Sequence, residues 1–439
     1  MRSHNFLKTS TFFTFATLAL LPALSAANAM PLEEAVHKTL QENPQVQQAE
    51  NEQREVERSV REAQGGYLPQ LDLTAATGQE HSDNATTNAN FGEDEGLWRS
   101  EARLQMTQML FDGWRVSSSV AQQRARYMAA GEQLSEVQQN ITLAAVEAYL
   151  NVLRRQELLE RAEQNVANHE TYFNKISEQT EGGQASRADL RQSAGRLARA
   201  QSNLIDFRRQ LQDARATYHE VVGVAPEGLN QPDFIPESEI PNSLEEALET
   251  AMRSNPAILA QQHNVVAAQK AVDESRASYM PRFDIEVSAG AGDNIDGSPG
   301  RNNEVLALVR MNYNLFAGGS DVARTESRAA RRSAAKSGLY DLKRDIRARV
   351  VQAWNNYTNT ASSLEHLGEY VVAAEQTRDA YIDQFDLGMR TQFDLLDSEI
   401  EAFNANVAYT NARYDYQIAK YEIRALLGNV TDAFQVAAR

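Results

Sequence analysis

The chain repeats itself, and the repeat constrains the fold more than any single motif does. Leu32-Glu33-Glu34-Ala35 returns as Leu244-Glu245-Glu246-Ala247, Asn43-Pro44 as Asn255-Pro256, and Tyr67-Leu68-Pro69 as Tyr279-Met280-Pro281, all at an offset of 212. Further along the offset is 205: Leu110-Phe111 and Gly113 match Leu315-Phe316 and Gly318, and Val222-Gly223 matches Leu427-Gly428. The change of register falls in two Asn/Gly/Asp-rich stretches, 78–96 and 290–303. A duplication of this length means one structural unit built twice, so any fold must be two-fold in its parts. The expected organisation is a first repeat over 30–223, a Pro-rich linker over 224–241, a second repeat over 242–428 and a tail over 429–439.

The hydrophobic period switches in the same order within each repeat. Residues 32–66 read as helix with a break at Asn43-Pro44, and the helix ends at Tyr67, or Tyr279 in the second copy, because a following proline disfavours it. The period then falls to two. Phe283, Ile285, Val287, Ala289 and Ala291 alternate with Asp284, Glu286, Ser288 and Gly290. The pattern predicts strands at about 70–78, 98–110, 283–291 and 304–315, with polar loops at 78–96 and 292–303 facing the cell exterior. After Gly113 or Gly318 comes a proline-free run of about 66 residues, close to 100 Å of helix at ~1.5 Å per residue. Shorter helices return over 185–222 and 389–427. The opening and returning helices together match the long one in length, so two short helices can stack beside it and leave the linker and termini at mid-length. Leu134, Val137, Ile141, Ala144 and Ala148 follow a 3-4-3-4 rhythm, the spacing of mutually packed helices.

The first 29 residues stand apart. Arg2 and Lys8 precede the apolar run 11–24, and Ala27-Asn28-Ala29 offers the small residues a signal peptidase reads. The run is shorter than a membrane span and contains Pro22, which argues against an anchor. Cleavage would remove two cations and no anion from a chain already at −17. An acidic exported chain is no generic nucleic-acid binder. The absence of cysteine excludes disulfides, thiolate metal sites and a lipoprotein anchor. With no second long apolar run, membrane embedding would need β-strands.

Four amphipathic strands cannot close a barrel, because the smallest single-chain barrels have eight and an open edge in lipid leaves hydrogen bonds unmade. Strands must therefore be pooled between copies: two copies would give eight, whose interior is filled by side chains, and three would give twelve, which leaves room for a lumen.

At this point the sequence resembles the TolC-like outer-membrane channel proteins over nearly all of the mature chain. The resemblance rests on the duplication, the Tyr-x-Pro lead into each strand pair, the Phe111-to-Gly113 and Phe316-to-Gly318 exits, and the segments 388–397 and 411–416. It implies a mainly α protein with a membrane β-barrel: a homotrimer whose long antiparallel helical hairpins form a periplasmic tunnel under a twelve-stranded barrel. It further implies the outer membrane of a Gram-negative bacterium, a periplasmic adaptor, an inner-membrane ABC transporter, no cofactor and no enzymatic step. The segment His169 to Gly223, with Ser186-Arg187-Ala188-Asp189-Leu190 and Asp213-Ala214-Arg215, is most similar to the branch that exports large adhesins by type I secretion. Small-molecule efflux is the alternative reading, and a trimeric adhesin or periplasmic spacer is an alternative of another class.

Site residues follow from the same resemblance. Arg390, Asp189 and Phe385 are expected to form an aperture latch, with Phe385 where the family has tyrosine and Ala188 where it has threonine. Asp394 and Asp397 lie three apart on one helical face and are expected to form acidic rings at a constriction. Gly182, Gly183, Ser186, Arg187, Gly388, Met389 and Thr391 are expected to be the adaptor-contact tips. Enzymatic motifs are poor: His169-Glu170 and His219-Glu220 lack a second histidine at ligand spacing, and Gly290-Ala291-Gly292 lacks the third glycine of a dinucleotide fingerprint.

Overall fold

A computed structural model describes residues 30–83, 85 and 96–434. The expected signal peptide, most of the 78–96 loop and the last five residues lie outside the described residues. Each repeat begins with two short helices: α1 (Leu32–Glu42) and α2 (Pro44–Gly65) in the first, α5 (Leu244–Ser254) and α6 (Pro256–Arg276) in the second. The breaks sit at Asn43 and Asn255, whose side chains accept hydrogen bonds from the backbone N–H groups of Gln45 and Ile258 while proline takes the first helical position. The strands are β1 (Gln70–His81) and β2 (Gly96–Phe111), then β3 (Arg282–Ile295) and β4 (Ser298–Asn312). Each pair leads into a 67-residue helix, α3 (Arg115–Glu181) or α7 (Ser320–Asp386), and a 36-residue return, α4 (Arg187–Val222) or α8 (Gln392–Leu427).

The strand ends depart from expectation. β1 runs on to His81, paired with Gly96, and β3 and β4 close around Asp296-Gly297 where a loop over 292–303 was expected. β4 therefore starts at Ser298 and stops at Asn312, several residues before its expected span at both ends. The cause is turn chemistry. Asp296 and Gly297 have φ of 54° and 73°, the left-handed pair that a two-residue hairpin matched to strand twist requires. Polar residues beyond the apolar alternation then keep pairing because the backbone ladder does not depend on side-chain polarity.

The sheet is antiparallel in the order β1-β2-β3-β4, so the strands of the two repeats meet at β2–β3 and leave β1 and β4 as open edges. Gly113 sits where the repeats touch below it. Its φ is 71°, and a Cβ there would lie 2.7 Å from the Met280 Cβ and 2.8 Å from the Ala277 carbonyl. Asp112 anchors the next helix by accepting from the N–H groups of Arg115 at 3.0 Å and Val116 at 2.8 Å.

The main core lies around the middle of α3, where Tyr149, Leu150, Val152, Tyr218, Ile258, Tyr414 and Tyr421 are buried together. The Tyr149 hydroxyl lies 2.9 Å from the Met30 carbonyl and 2.8 Å from that of Asn230, and accepts from the Asn230 N–H at 3.1 Å. The start of the described chain and the linker thus meet halfway along the long helix. Towards the far tip a second, smaller cluster of Ala374, Ala402 and Ala405 packs α7 against α8, and Ile176, Leu395 and Leu396 are fully buried nearer the tips.

Candidate functional site

The register sorts the sheet into two chemically different faces. Val305, Ala289, Leu104 and Leu73 stand side by side across all four strands, as do Ala307, Val287, Met106 and Leu71. Most of these side chains are uncovered, with Leu73 72% and Val305 81% exposed, while Met106 and Val287 are half-buried. An apolar face this large has no place in water. On the opposite face Arg103 reaches past Gly290 to Glu304 at 3.3 Å, and Arg310 grips Glu286 with two bonds of 2.7 Å. Leu306 and Leu308, near the open edge, together with Ala76, Leu97 and Met109, are apolar exceptions on this polar face. Exposed Tyr67, Trp114, Tyr279, Tyr313 and Phe316 ring the end where strands meet helices, and Trp98 stands towards the other end. Apolar outside, polar inside and an aromatic rim is the pattern of a strand set that crosses a bilayer around water. No described helix is long and apolar enough to cross a membrane.

At the opposite end each hairpin turns through five residues. Gly183 and Gly388 occupy equivalent positions with φ of 79° and 72°, conformations that let the last turn of each long helix close on its own carbonyls. Ser186 and Thr391 then cap the return helices. Asp189 accepts from the Ser186 N–H at 2.9 Å, and Asp394 accepts from the Thr391 hydroxyl at 2.8 Å and N–H at 3.3 Å. Both aspartates are the acidic third residue of a capping box. Arg187 is exposed, and Gly182 ends α3. The second tip adds apolar surface, with Leu387 74% and Met389 72% exposed.

Within one chain the expected latch residues are not brought together. Asp189 serves its own helix cap, and Arg390 folds back over α7, donating from Nε to Gln384 at 2.9 Å and lying 4.3 Å from the centre of the Tyr381 ring. Phe385 packs instead beneath Lys175, whose ammonium also pairs with Asp386. Asp397 is bridged to Arg196 of α4 at 2.7 Å, and Asp394 lies 3.9 Å from Arg390. Asp394, Asp397 and Glu401 line one groove with Tyr370 and Tyr381.

Sequence reasoning missed several of these groups. Tyr381, Lys175 and Arg196 contact the expected site residues, and Glu399 sits behind them, 3% exposed, accepting from Asn168 of α3 at 2.6 Å. Burial pushes the Glu399 carboxyl above the usual carboxylate range, against the pull of Asn168 and Arg378. Burial likewise holds His169 below the ordinary imidazole value, and Arg196 reinforces the shift. The 3- and 4-residue spacing of Asp394, Asp397 and Glu401 was the one signal of a shared face; their partners lie on other helices.

Comparison with known proteins agrees with this architecture. AprF, the alkaline protease secretion protein of Pseudomonas aeruginosa, is 26% identical over 93% of this chain and 86% of its own. BepC, an outer membrane efflux protein of Brucella suis, is 25% identical over 84% of this chain and 79% of its own. The crystal structure of the outer membrane protein VceC of Vibrio cholerae superposes with a TM-score of 0.78 at 15% identity, covering 91% of this chain and 96% of that one. The sequence profile of the outer membrane efflux proteins matches residues 35–224 and again 247–429, nearly the whole described chain, and the protein belongs to that family.

Proposed function

We propose that the protein is the outer-membrane duct of an export machine, carrying cargo from a periplasmic adaptor and an inner-membrane transporter to the outside. The observation that carries this reading is the sheet itself: one apolar face, one charged face, and two open edges above helices of 67 residues. Open edges in lipid are untenable, so β4 of one copy must pair with β1 of the next. Three copies make a twelve-stranded barrel with a polar lumen, and their hairpins continue it as a tunnel through the periplasm. The chain supplies no chemistry in this scheme; energy comes from the transporter. The exposed Leu387, Met389 and Arg187 around the tips are the surface offered to the adaptor.

The cargo we favour is protein, a large adhesin or RTX-type substrate of a type I system with an ABC transporter. Similarity to a protease secretion protein along 93% of the chain supports it. Similarity to an efflux protein at nearly the same identity keeps small-molecule efflux as the second reading. Deleting the gene separates them. Loss of a large secreted protein with unchanged antibiotic susceptibility supports secretion, and the reverse outcome supports efflux.

The orientation is tested at the Asp296-Gly297 turn. A short epitope inserted between them is expected to be labelled by antibody on intact cells. Labelling only after the outer membrane is permeabilised would place the turn in the periplasm and invert the scheme.

A further inference from the structure

Away from both the sheet and the hairpin tips, a cavity of about 400 Å³ opens at mid-length. The start of the described chain, the linker, α8 and the short turn Thr431–Phe434 meet around it. Prolines in its wall keep the passing segments out of helix: Pro31 and Pro236 hold extended backbone, with φ of −69° and −67°. Segments that cross in this way leave space between them, and the space is as large as an ordinary small-molecule site. Its floor is aromatic. The Tyr421 ring stacks on Phe434, with centroids 6.0 Å apart and planes 11° from parallel. Tyr421 is only 2% exposed, yet its hydroxyl makes no hydrogen bond among the described residues. Buried hydroxyls are nearly always partnered, so this one is available to something that enters the cavity. Burial pushes the phenol up to about 12; Arg424 opposes the shift, and the Glu239 and Glu33 carboxylates add to it, which places the hydroxyl among the acids of the wall.

The charged side chains that line the cavity are all acidic: Glu33, Asp233 and Glu239. Glu239 is taken up by Arg424. Glu33 and Asp233 have neither an ion pair nor a hydrogen bond among the described residues. The nearest cations are committed elsewhere. Lys420 donates to the Ile235 carbonyl at 3.2 Å and lies 4.4 Å from the centre of the Tyr416 ring, and Arg424 also donates to the Asn429 carbonyl at 3.0 Å. An anion would therefore find no counter-charge. A metal ion would find no ligand set either, since no three acidic or histidine side chains among the described residues are placed to hold one. Separated carboxylates over a stacked aromatic floor suit a cation that carries its charge on a carbon stem, because the ring faces attract both the charge and the methylenes beside it.

We propose that this mid-length cavity binds an organic cation, an amine or guanidinium on an aliphatic stem, with Glu33 and Asp233 receiving the charge, the Tyr421–Phe434 pair receiving the stem and the Tyr421 hydroxyl making one hydrogen bond. The site lies within one chain and does not depend on the ring of copies. Its walls come from the beginning of the first repeat, from the linker and from the end of the second repeat, so a bound cation ties the two repeats together where the linker joins them. A ligand that binds only the folded chain stabilises it, and occupancy should therefore raise the thermal midpoint. Two sources carry this chemistry: a free polyamine, or the lysine or arginine side chain of a partner protein.

Titration calorimetry on purified full-length protein tests the site, with Asp394→Ala and Asp397→Ala present throughout so that the tip carboxylates do not contribute. The probes are spermidine, acetyl-arginine amide and Mg²⁺. Spermidine or acetyl-arginine amide is expected to bind once per chain and to raise the thermal midpoint, and Mg²⁺ to do neither. Binding by spermidine alone assigns a free polyamine, and binding by the arginine amide assigns a partner's side chain; either supports the site. Tyr421→Phe keeps the stacked ring and should weaken binding roughly threefold to tenfold, and Glu33→Gln or Asp233→Asn about tenfold. Glu245 stands where Glu33 stands in the other repeat but does not line the cavity, so Glu245→Gln should leave binding unchanged. Equal binding of Mg²⁺, affinity unmoved by the three cavity substitutions, or no binding of either organic cation at millimolar concentration would overturn the proposal. A protein that conducts but binds neither cation would sink this inference and leave the duct standing.

Discussion

Arg390→Ala is expected to raise single-channel conductance severalfold without changing trimer assembly, and Asp189→Ala is expected to do the same. In each chain Arg390 is poised above the second hairpin tip by Gln384 and the face of Tyr381, with the Asp394 carboxylate in a loose pairing at 3.9 Å. Asp189 stands at the equivalent turn of the first hairpin. In a ring the two tips alternate around the axis, so the arginine of one tip can reach the carboxylate of the next. A charge-assisted pair of this kind is worth about 1 to 3 kcal/mol, enough to hold an aperture and small enough for a docked adaptor to undo. Asp189 has a second duty as a helix cap, and its removal costs cap stability as well. Asp189→Glu separates the duties: glutamate serves a capping box equally well but moves the carboxylate, so the aperture should leak while the helix stays intact. Arg390→Lys should also leak, since lysine lacks the planar fork for a two-point grip. Wild-type conductance in both alanine variants would show that the gate lies elsewhere.

The second large effect is expected from Asp394→Ala combined with Asp397→Ala, which should abolish block of the channel by multivalent cations. In the proposed ring of three copies these carboxylates would gather around one axis and focus negative potential on whatever passes. The structure adds a term to this account. Asp397 is bridged to Arg196, so part of the ring charge is already compensated. Arg196→Ala should therefore strengthen the block, a change in the opposite direction from the double variant. Unchanged block in the double variant would sink the idea of acidic rings.

What could be read in the sequence was whatever periodicity records. The long helices follow from proline-free runs, and the two faces of the sheet follow from alternation, as at Phe283 to Ala291. Glycines at Gly183 and Gly388 marked the hairpin tips because only a backbone tolerant of positive φ can turn there. The Asp296-Gly297 turn was equally legible as a tight hairpin signal, but the surrounding Asn and Gly residues read as a longer loop. Ser186-x-x-Asp189 and Thr391-x-x-Asp394 likewise carry a capping pattern in plain view, overshadowed by the expectation of a latch at Asp189 and an acidic ring at Asp394. The contacts of Arg390 with Tyr381, Lys175 with Phe385 and Arg196 with Asp397 were out of reach for a different reason. The last two join helices more than 190 residues apart, and which turn of one helix lies beside which turn of another is set by packing, which a one-dimensional pattern does not encode.

The central claim is that copies of this chain enclose a water-filled passage, and conductance in a planar lipid bilayer measures that directly. Purified full-length protein is expected to insert and give discrete, uniform, cation-selective steps, with larger steps for Arg390→Ala. An assembled, membrane-inserted protein that conducts in neither form would contradict the account and favour a spacer or adhesin built from the same helices and strands.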